Sequence, residues 1–97
     1  MASFIISLRY TAPVEEVDGL LADHVAWLRA NHAAGHFLGW GRKVPRDGGL
    51  ILAKGSNRNE VEILAAADPF VAGGGAEFEV IEWAYGFLDD SVAGLAG

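Results

Sequence analysis

The apolar residues of this chain switch between a period of two and a period near 3.6, and the order of the switches restricts the fold more than any other feature. Residues 4–10 alternate, with Phe4, Ile6, Leu8 and Tyr10 on one face and Ile5, Ser7 and Arg9 on the other, as in a strand. Thr11-Ala12-Pro13 ends the alternation and opens a helix. Pro13 suits a first turn, where a missing N–H costs nothing, and Glu15 and Glu16 favour the positive helix start. Over residues 14–34 the period becomes helical, with Val17, Leu20, Leu21, His24, Trp27, Leu28 and Asn31 on one stripe. Gly35 can take the left-handed conformation that closes the last turn.

Two more strands are expected at 36–44 and 50–55, joined as a hairpin through the turn signal Pro45-Arg46-Asp47-Gly48-Gly49. A second helix follows over 57–67, where Asn57 and Glu60 resemble a capping box and Val61, Leu64 and Ala65 supply the apolar stripe. Pro69 disfavours helical geometry at Asp68 and should end that helix. Gly73-Gly74-Gly75 reads as a flexible connection to a last strand, 76–85, with Phe78 and Val80 facing one way and Ile81, Trp83 and Tyr85 the other. From about residue 88 the chain is small and acidic, a loose tail or one that clasps a partner.

The order β-α-β-β-α-β is the ferredoxin-like split βαβ of the α+β class: a four-stranded antiparallel sheet with two helices on one face. Ninety-seven residues fit one domain, with a core of about 3–86 and a tail of 87–97. The helices cover one sheet face only, yet the other carries Ile5, Ile81, Trp83 and Tyr85. A second copy of the sheet is the simplest cover, so a homodimer is expected.

Charge and residue content exclude several functions. A net charge of −6 with scattered basic residues argues against nucleic acid, whose phosphates need clustered Lys and Arg. The chain has no cysteine, hence no disulfide, thiolate metal site or Cys nucleophile. His32 and His36 are separated by the helix-ending Gly35 and have no third ligand in view, so no metal and no cofactor is expected. No apolar run approaches the ~18 residues of a membrane span, and the start lacks the basic n-region of a secretory signal. The expected compartment is the cytoplasm.

His24 is the most informative residue, because it lies within an apolar stripe. Burial disfavours a charged imidazole and a neighbouring carboxylate favours it, so such a residue suits a general acid/base or, equally, a core histidine satisfied by one hydrogen bond. Asp68 continues the inward stripe of the second helix and can approach the middle of the first. It is also a natural cap for a short turn through Phe70 and Val71. The glycine runs fit no nucleotide fingerprint and the serines no nucleophile elbow. Trp27, Trp40 and Trp83 can line a pocket or simply pack.

Several segments together resemble the YCII-related proteins: Ser7-Leu8-Arg9-Tyr10-Thr11-Ala12-Pro13, His24-Val25-Ala26-Trp27-Leu28, Gly35-His36-Phe37-Leu38, Lys43-Val44-Pro45-Arg46-Asp47-Gly48-Gly49 and Asp68-Pro69-Phe70-Val71. The similarity runs in order from about residue 4 to 83. It implies a dimeric α+β barrel with facing sheets and a site built on a His–Asp pair, here His24 and Asp68. The architecture is similar to that of muconolactone isomerases, and some relatives act as dehydrochlorinases. Cofactor-free proton transfer on a small cyclic molecule, of lyase or isomerase type, is therefore the implied activity. Ser7, Arg9, Arg42 and Phe70 are looser candidates for contacting the substrate. A non-catalytic dimeric ligand-binding module, with a structural His–Asp link, is the alternative. Two departures from the family pattern stand out. Trp40-Gly41-Arg42 replaces a small residue followed by Gly-Pro, which should narrow the pocket and attract an anion. Gly73-Gly74-Gly75 replaces a larger apolar residue and should loosen the segment after Phe70.

Overall fold

In the computed structural model, which describes residues 1–96, β1 (Ala2–Tyr10) runs through the middle of a four-stranded antiparallel sheet. Residue 97, the end of the expected tail, lies outside the described residues. After β1 come α1 (Val14–Asp18), α2 (Leu21–Ala33), β2 (Phe37–Arg42), β3 (Gly48–Gly55), α3 (Arg58–Ala66), α4 (Pro69–Ala72) and β4 (Ala76–Trp83). The strand order is β2-β3-β1-β4 with every neighbour antiparallel, the ferredoxin-like arrangement.

Strand parity decides the core. Phe4, Ile6 and Leu8 of β1 are buried together with Phe37, Ile51, Ala53 and Val80 from the other strands, against Leu28 of α2 and Val61 and Ala65 of α3. Each large side chain so buried stabilises the fold by about 1.5–3 kcal/mol. A smaller cluster of Val17, Phe70 and Ala76, flanked by Tyr10, Leu20 and Leu21, closes the end of the sheet where the site lies.

The expected first helix is two helices. Gly19 and Leu20 interrupt it, and Leu20 N–H bonds back to Val17 carbonyl at 2.9 Å instead of continuing the ladder. Glycine is a poor interior helix residue, by about 1 kcal/mol relative to alanine. The break lets Val17 enter the second cluster while His24 and Leu28 face the sheet. Both glycines of the expected turn, Gly48 and Gly49, belong to β3, and β2 and β4 are shorter than their alternation suggested.

The triglycine is an ordered cap, not a flexible or loosened link. Gly75 N–H bonds to Phe70 carbonyl at 2.8 Å and Gly74 N–H to Val71 carbonyl at 3.1 Å, with Gly74 at φ 80°. These are the paired bonds of a Schellman motif, which needs a left-handed residue. Gly35, at φ 87°, ends α2 in the same way, with His36 N–H on Asn31 carbonyl. At α3, Asn57 caps Glu60 N–H at 2.9 Å, while the Glu60 carboxylate reaches Ser56 N–H, one residue earlier than in the usual reciprocal box.

Gly48 is fixed by a close approach of backbones. A β-carbon there would stand 1.8 Å from Leu8 carbonyl oxygen. Gly48→Ala should therefore force β3 away from β1 and cost at least ~1–3 kcal/mol, the range for overpacking. Thermal unfolding checks this; a variant with unchanged Tm would show that the strands part freely at this point.

The face of the sheet away from the helices is partly covered. A 3₁₀ segment, Asp90–Ala96, follows β4, and Lys54 Nζ donates to Gly94 carbonyl at 3.3 Å. That bond ties the segment to β3 at this point. Beyond it, Leu52, Ile5 and Ile81 stand in register across three strands, and Ile81 is 40% exposed.

Candidate functional site

The site forms where α2, α4 and the ends of β1 and β3 meet. Pro69 occupies the first position of α4, and Asp68 caps it with Oδ1 accepting from Phe70 N–H at 2.9 Å. His24, one turn into α2, places Nδ1 2.7 Å from the same Oδ1. An ionised carboxylate can only accept, so Nδ1 carries the hydrogen. In neutral histidine this leaves the lone pair on Nε2. The two carboxylate oxygens do not divide the work, as the two roles of Asp68 would suggest: Oδ1 takes both bonds, and Oδ2 is buried with no hydrogen-bond partner among the described residues.

Aromatic packing fixes the imidazole. Its ring stacks on Phe70 with centroids 3.7 Å apart and planes 5° from parallel, and Tyr10 meets Phe70 edge-on at 5.9 Å. Phe70 is held in turn through its backbone, its N–H donating to Asp68 Oδ1 and its carbonyl accepting from Gly75 N–H. His24 is 8% exposed and Asp68 fully buried. Thus the carboxylate is sealed inside while the ring reaches the surface of a cavity.

That cavity has a volume of about 230 Å³ and lies between α2 and the helix-facing side of the sheet. Its wall is mainly apolar, with Leu8, Leu28 and Phe70 among its residues, and His24, Tyr10 and Arg42 bring polar groups to it. Of the six residues singled out from the sequence, His24, Phe70 and Arg42 line it, and Asp68 stands directly behind His24. Ser7 and Arg9 do not reach it. Leu8 and Tyr10 face the cavity, so their odd-numbered neighbours turn to the opposite sheet face, where Arg9 pairs with Glu77.

Tyr10, Trp40 and Arg46 complete the surroundings. The parity of β1 places Tyr10 inward, and Trp40, an exposed side chain, is among the residues that line the cavity. Trp27 instead packs on Phe37, and Trp83 lies at the far end of the sheet. Arg46 went unselected because nothing local marks a turn arginine. Its guanidinium lies over the Tyr10 ring at 5.6 Å and donates to Asp18 at 2.6 Å. That bond holds the Asp18 carboxyl below its ordinary range, with a smaller pull from Arg42. The same bond, with help from Tyr10, raises Arg46. His32 Nδ1 donates to Phe37 carbonyl at 2.9 Å, and His36 N–H donates to Asn31 carbonyl.

A fully buried carboxylate behind an imidazole that opens on a small apolar cavity defines a class of site suited to moving a proton on a bound organic molecule. The model of the YCII-related domain matches residues 3–84, and the chain belongs to that family. No curated protein matches the sequence significantly. Among solved structures, the chain is similar to the 5-chloro-2-hydroxyhydroquinone dehydrochlorinase of Burkholderia phenoliruptrix in complex with 2,5-dihydroxybenzoquinone. The TM-score is 0.74 at 19% identity, covering 87% of this chain and 95% of that one. At that identity the likeness speaks for the fold.

Proposed function

We propose that the protein catalyses cofactor-free proton transfer on a small cyclic substrate, with His24 as general acid/base and Asp68 as the group that positions it. The observation that carries this is the 2.7 Å bond from His24 Nδ1 to a carboxylate sealed behind it, on a ring that lines the cavity. Nε2 has no hydrogen-bond partner among the described residues and is the atom that takes or gives the proton. Asp68 fixes the tautomer and stabilises the imidazolium once formed. Apolar cavities of about 150 Å³ take up benzene, so about 230 Å³ accommodates a substituted six-membered ring. In an isomerisation, Nε2 removes a proton from one carbon and returns it to another. In a dehydrochlorination of a chlorinated hydroxyquinol, Nε2 moves a hydroxyl proton onto the chlorine-bearing carbon to give the keto tautomer. It then takes a second hydroxyl proton, and the electron pair left on that oxygen moves through the ring to expel chloride from the now tetrahedral carbon. Neither step moves electrons to or from the protein.

The compound in the structural relative's name, 5-chloro-2-hydroxyhydroquinone, is the first probe, with a muconolactone as the isomerase probe. The test is chloride release or lactone isomerisation by the wild type and by His24→Asn. Turnover that survives the substitution would overturn the proposal. The full burial of Asp68 and its cap on Phe70 N–H favour one second reading, a binding module in which the pair is structural. It predicts saturable ligand binding with no turnover.

The working form is proposed to be a homodimer joined through the sheet face that carries Ile5, Leu52 and Ile81. These three stand in register, and with Ile81 exposed they present apolar surface to water. Light scattering at micromolar concentration should return twice the chain mass of 10.3 kDa, and Ile81→Asp should return the mass once. A monomeric wild type would rule the dimer out.

A further inference from the structure

Arg42 ends β2 opposite Gly49, on the same side of the strand as Trp40, and both line the cavity. It is exposed, and it enters no hydrogen bond and no ion pair among the described residues. Its neighbour Arg46 is occupied by Asp18 at 2.6 Å, so Asp18 acts on Arg42 only through the longer-range field. Arg42, Lys43 and Arg46 lie close together in the chain, with Asp47 next to them in sequence and Asp18 paired to Arg46. The chain as a whole carries −6. Among the described residues this cavity therefore has an unengaged cation, Arg42, beside an apolar ring-sized space on an otherwise acidic molecule.

We infer that Arg42 is a specificity-determining residue that selects a flat, ring-sized substrate bearing an anionic group, a carboxylate in the first instance. This deepens the proposed function and rests on it for the identity of the site. The guanidinium presents a planar fork that matches a carboxylate through two parallel hydrogen bonds. The apolar wall takes the ring, and Arg42 takes the charge at the opening, where solvation of the free anion is given up only in part. A neutral ring of the same shape gains the first contact and lacks the second.

The test uses benzoate and benzamide, matched in shape and differing in charge, titrated into the full chain. The shift of the Trp40 indole N–H resonance reads occupancy without any turnover. Benzoate is expected to bind roughly three- to tenfold more tightly than benzamide, the scale of a partly exposed charge-assisted contact. The preference should shrink as ionic strength rises. Arg42→Gln should bring the ratio near one, and Arg42→Lys should restore part of it. Equal affinity in the wild type, a preference that persists in Arg42→Gln, or no saturable benzoate binding at millimolar concentration would each overturn the assignment. The outcome is separable from that of the proton-transfer proposal. A benzoate preference that depends on Arg42, found together with turnover indifferent to His24, would remove the latter alone.

Discussion

His24→Asn is expected to lower turnover by ~10²–10⁴, the range for loss of a general acid/base, and to leave the protein folded. The asparagine amide nitrogen can stand where Nδ1 now stands, 2.7 Å from Asp68 Oδ1, so the buried carboxylate keeps a donor. What disappears is Nε2 and part of the stack on Phe70, now at 3.7 Å between centroids. Aromatic pairs contribute about 0.5–1.5 kcal/mol beyond their area. That sets the expected stability loss, a few degrees in Tm for a domain of this size. His24→Gln tests the converse, since its amide can reach the place of Nε2 while releasing Asp68. It should be the less stable of the two variants. If His24→Asn keeps its turnover, or loses it only because it unfolds, the acid/base role fails. Steady-state rates and melting curves on the same preparations separate these outcomes.

Asp68→Ala should be the most destabilising change in the site. One oxygen currently accepts from both His24 Nδ1 and Phe70 N–H, and the residue is fully buried. Alanine leaves both donors unpaired in the interior, at about 1–3 kcal/mol for a buried orphan. It also removes the cap of α4, at about 0.5–2 kcal/mol. Because the two donors share one acceptor, these losses overlap, and about 2–4 kcal/mol together is expected. Asp68→Asn retains an Oδ1 acceptor for both donors, so it should fall between alanine and wild type in stability. It no longer offers a negative charge to an imidazolium, so turnover should drop tenfold or more. An alanine variant as stable as wild type would mean that α4 is held by Phe70 packing and the glycine cap alone. An asparagine variant with full turnover would reduce Asp68 to a structural part.

The order of elements was legible because periodicity is a local property. Alternation in Phe4-Ile5-Ile6-Ser7-Leu8 and the stripe through Val17, His24 and Leu28 each need only a few neighbouring residues to declare themselves. Gly35 as a helix stop and Asn57 as a cap were readable for the same reason. The break at Gly19 was less so, since one glycine is often tolerated inside a helix and here the pull of Val17 into a second cluster decided the matter. The triglycine was misread because a run of glycines specifies freedom, and only the carbonyls of Phe70 and Val71 turned that freedom into a cap.

For the site, the same division holds. The chain by itself determined that a histidine lies on a buried helical stripe, that an Asp-Pro-Phe turn follows the other helix, and that β1 alternates. It could therefore nominate His24 and Asp68, and the alternation already set Ser7 and Arg9 on the face opposite Tyr10. Tertiary structure alone decided which β1 face borders the cavity, that one oxygen of Asp68 serves two donors, that Phe70 lies flat against the imidazole, and that Arg46 is held by Asp18 while Arg42 is left unpaired. Each of these depends on the angle and distance at which separate elements pack. Residues 24 and 68, or 18 and 46, are brought together by burial of the core between them, and no local pattern in the chain encodes that geometry.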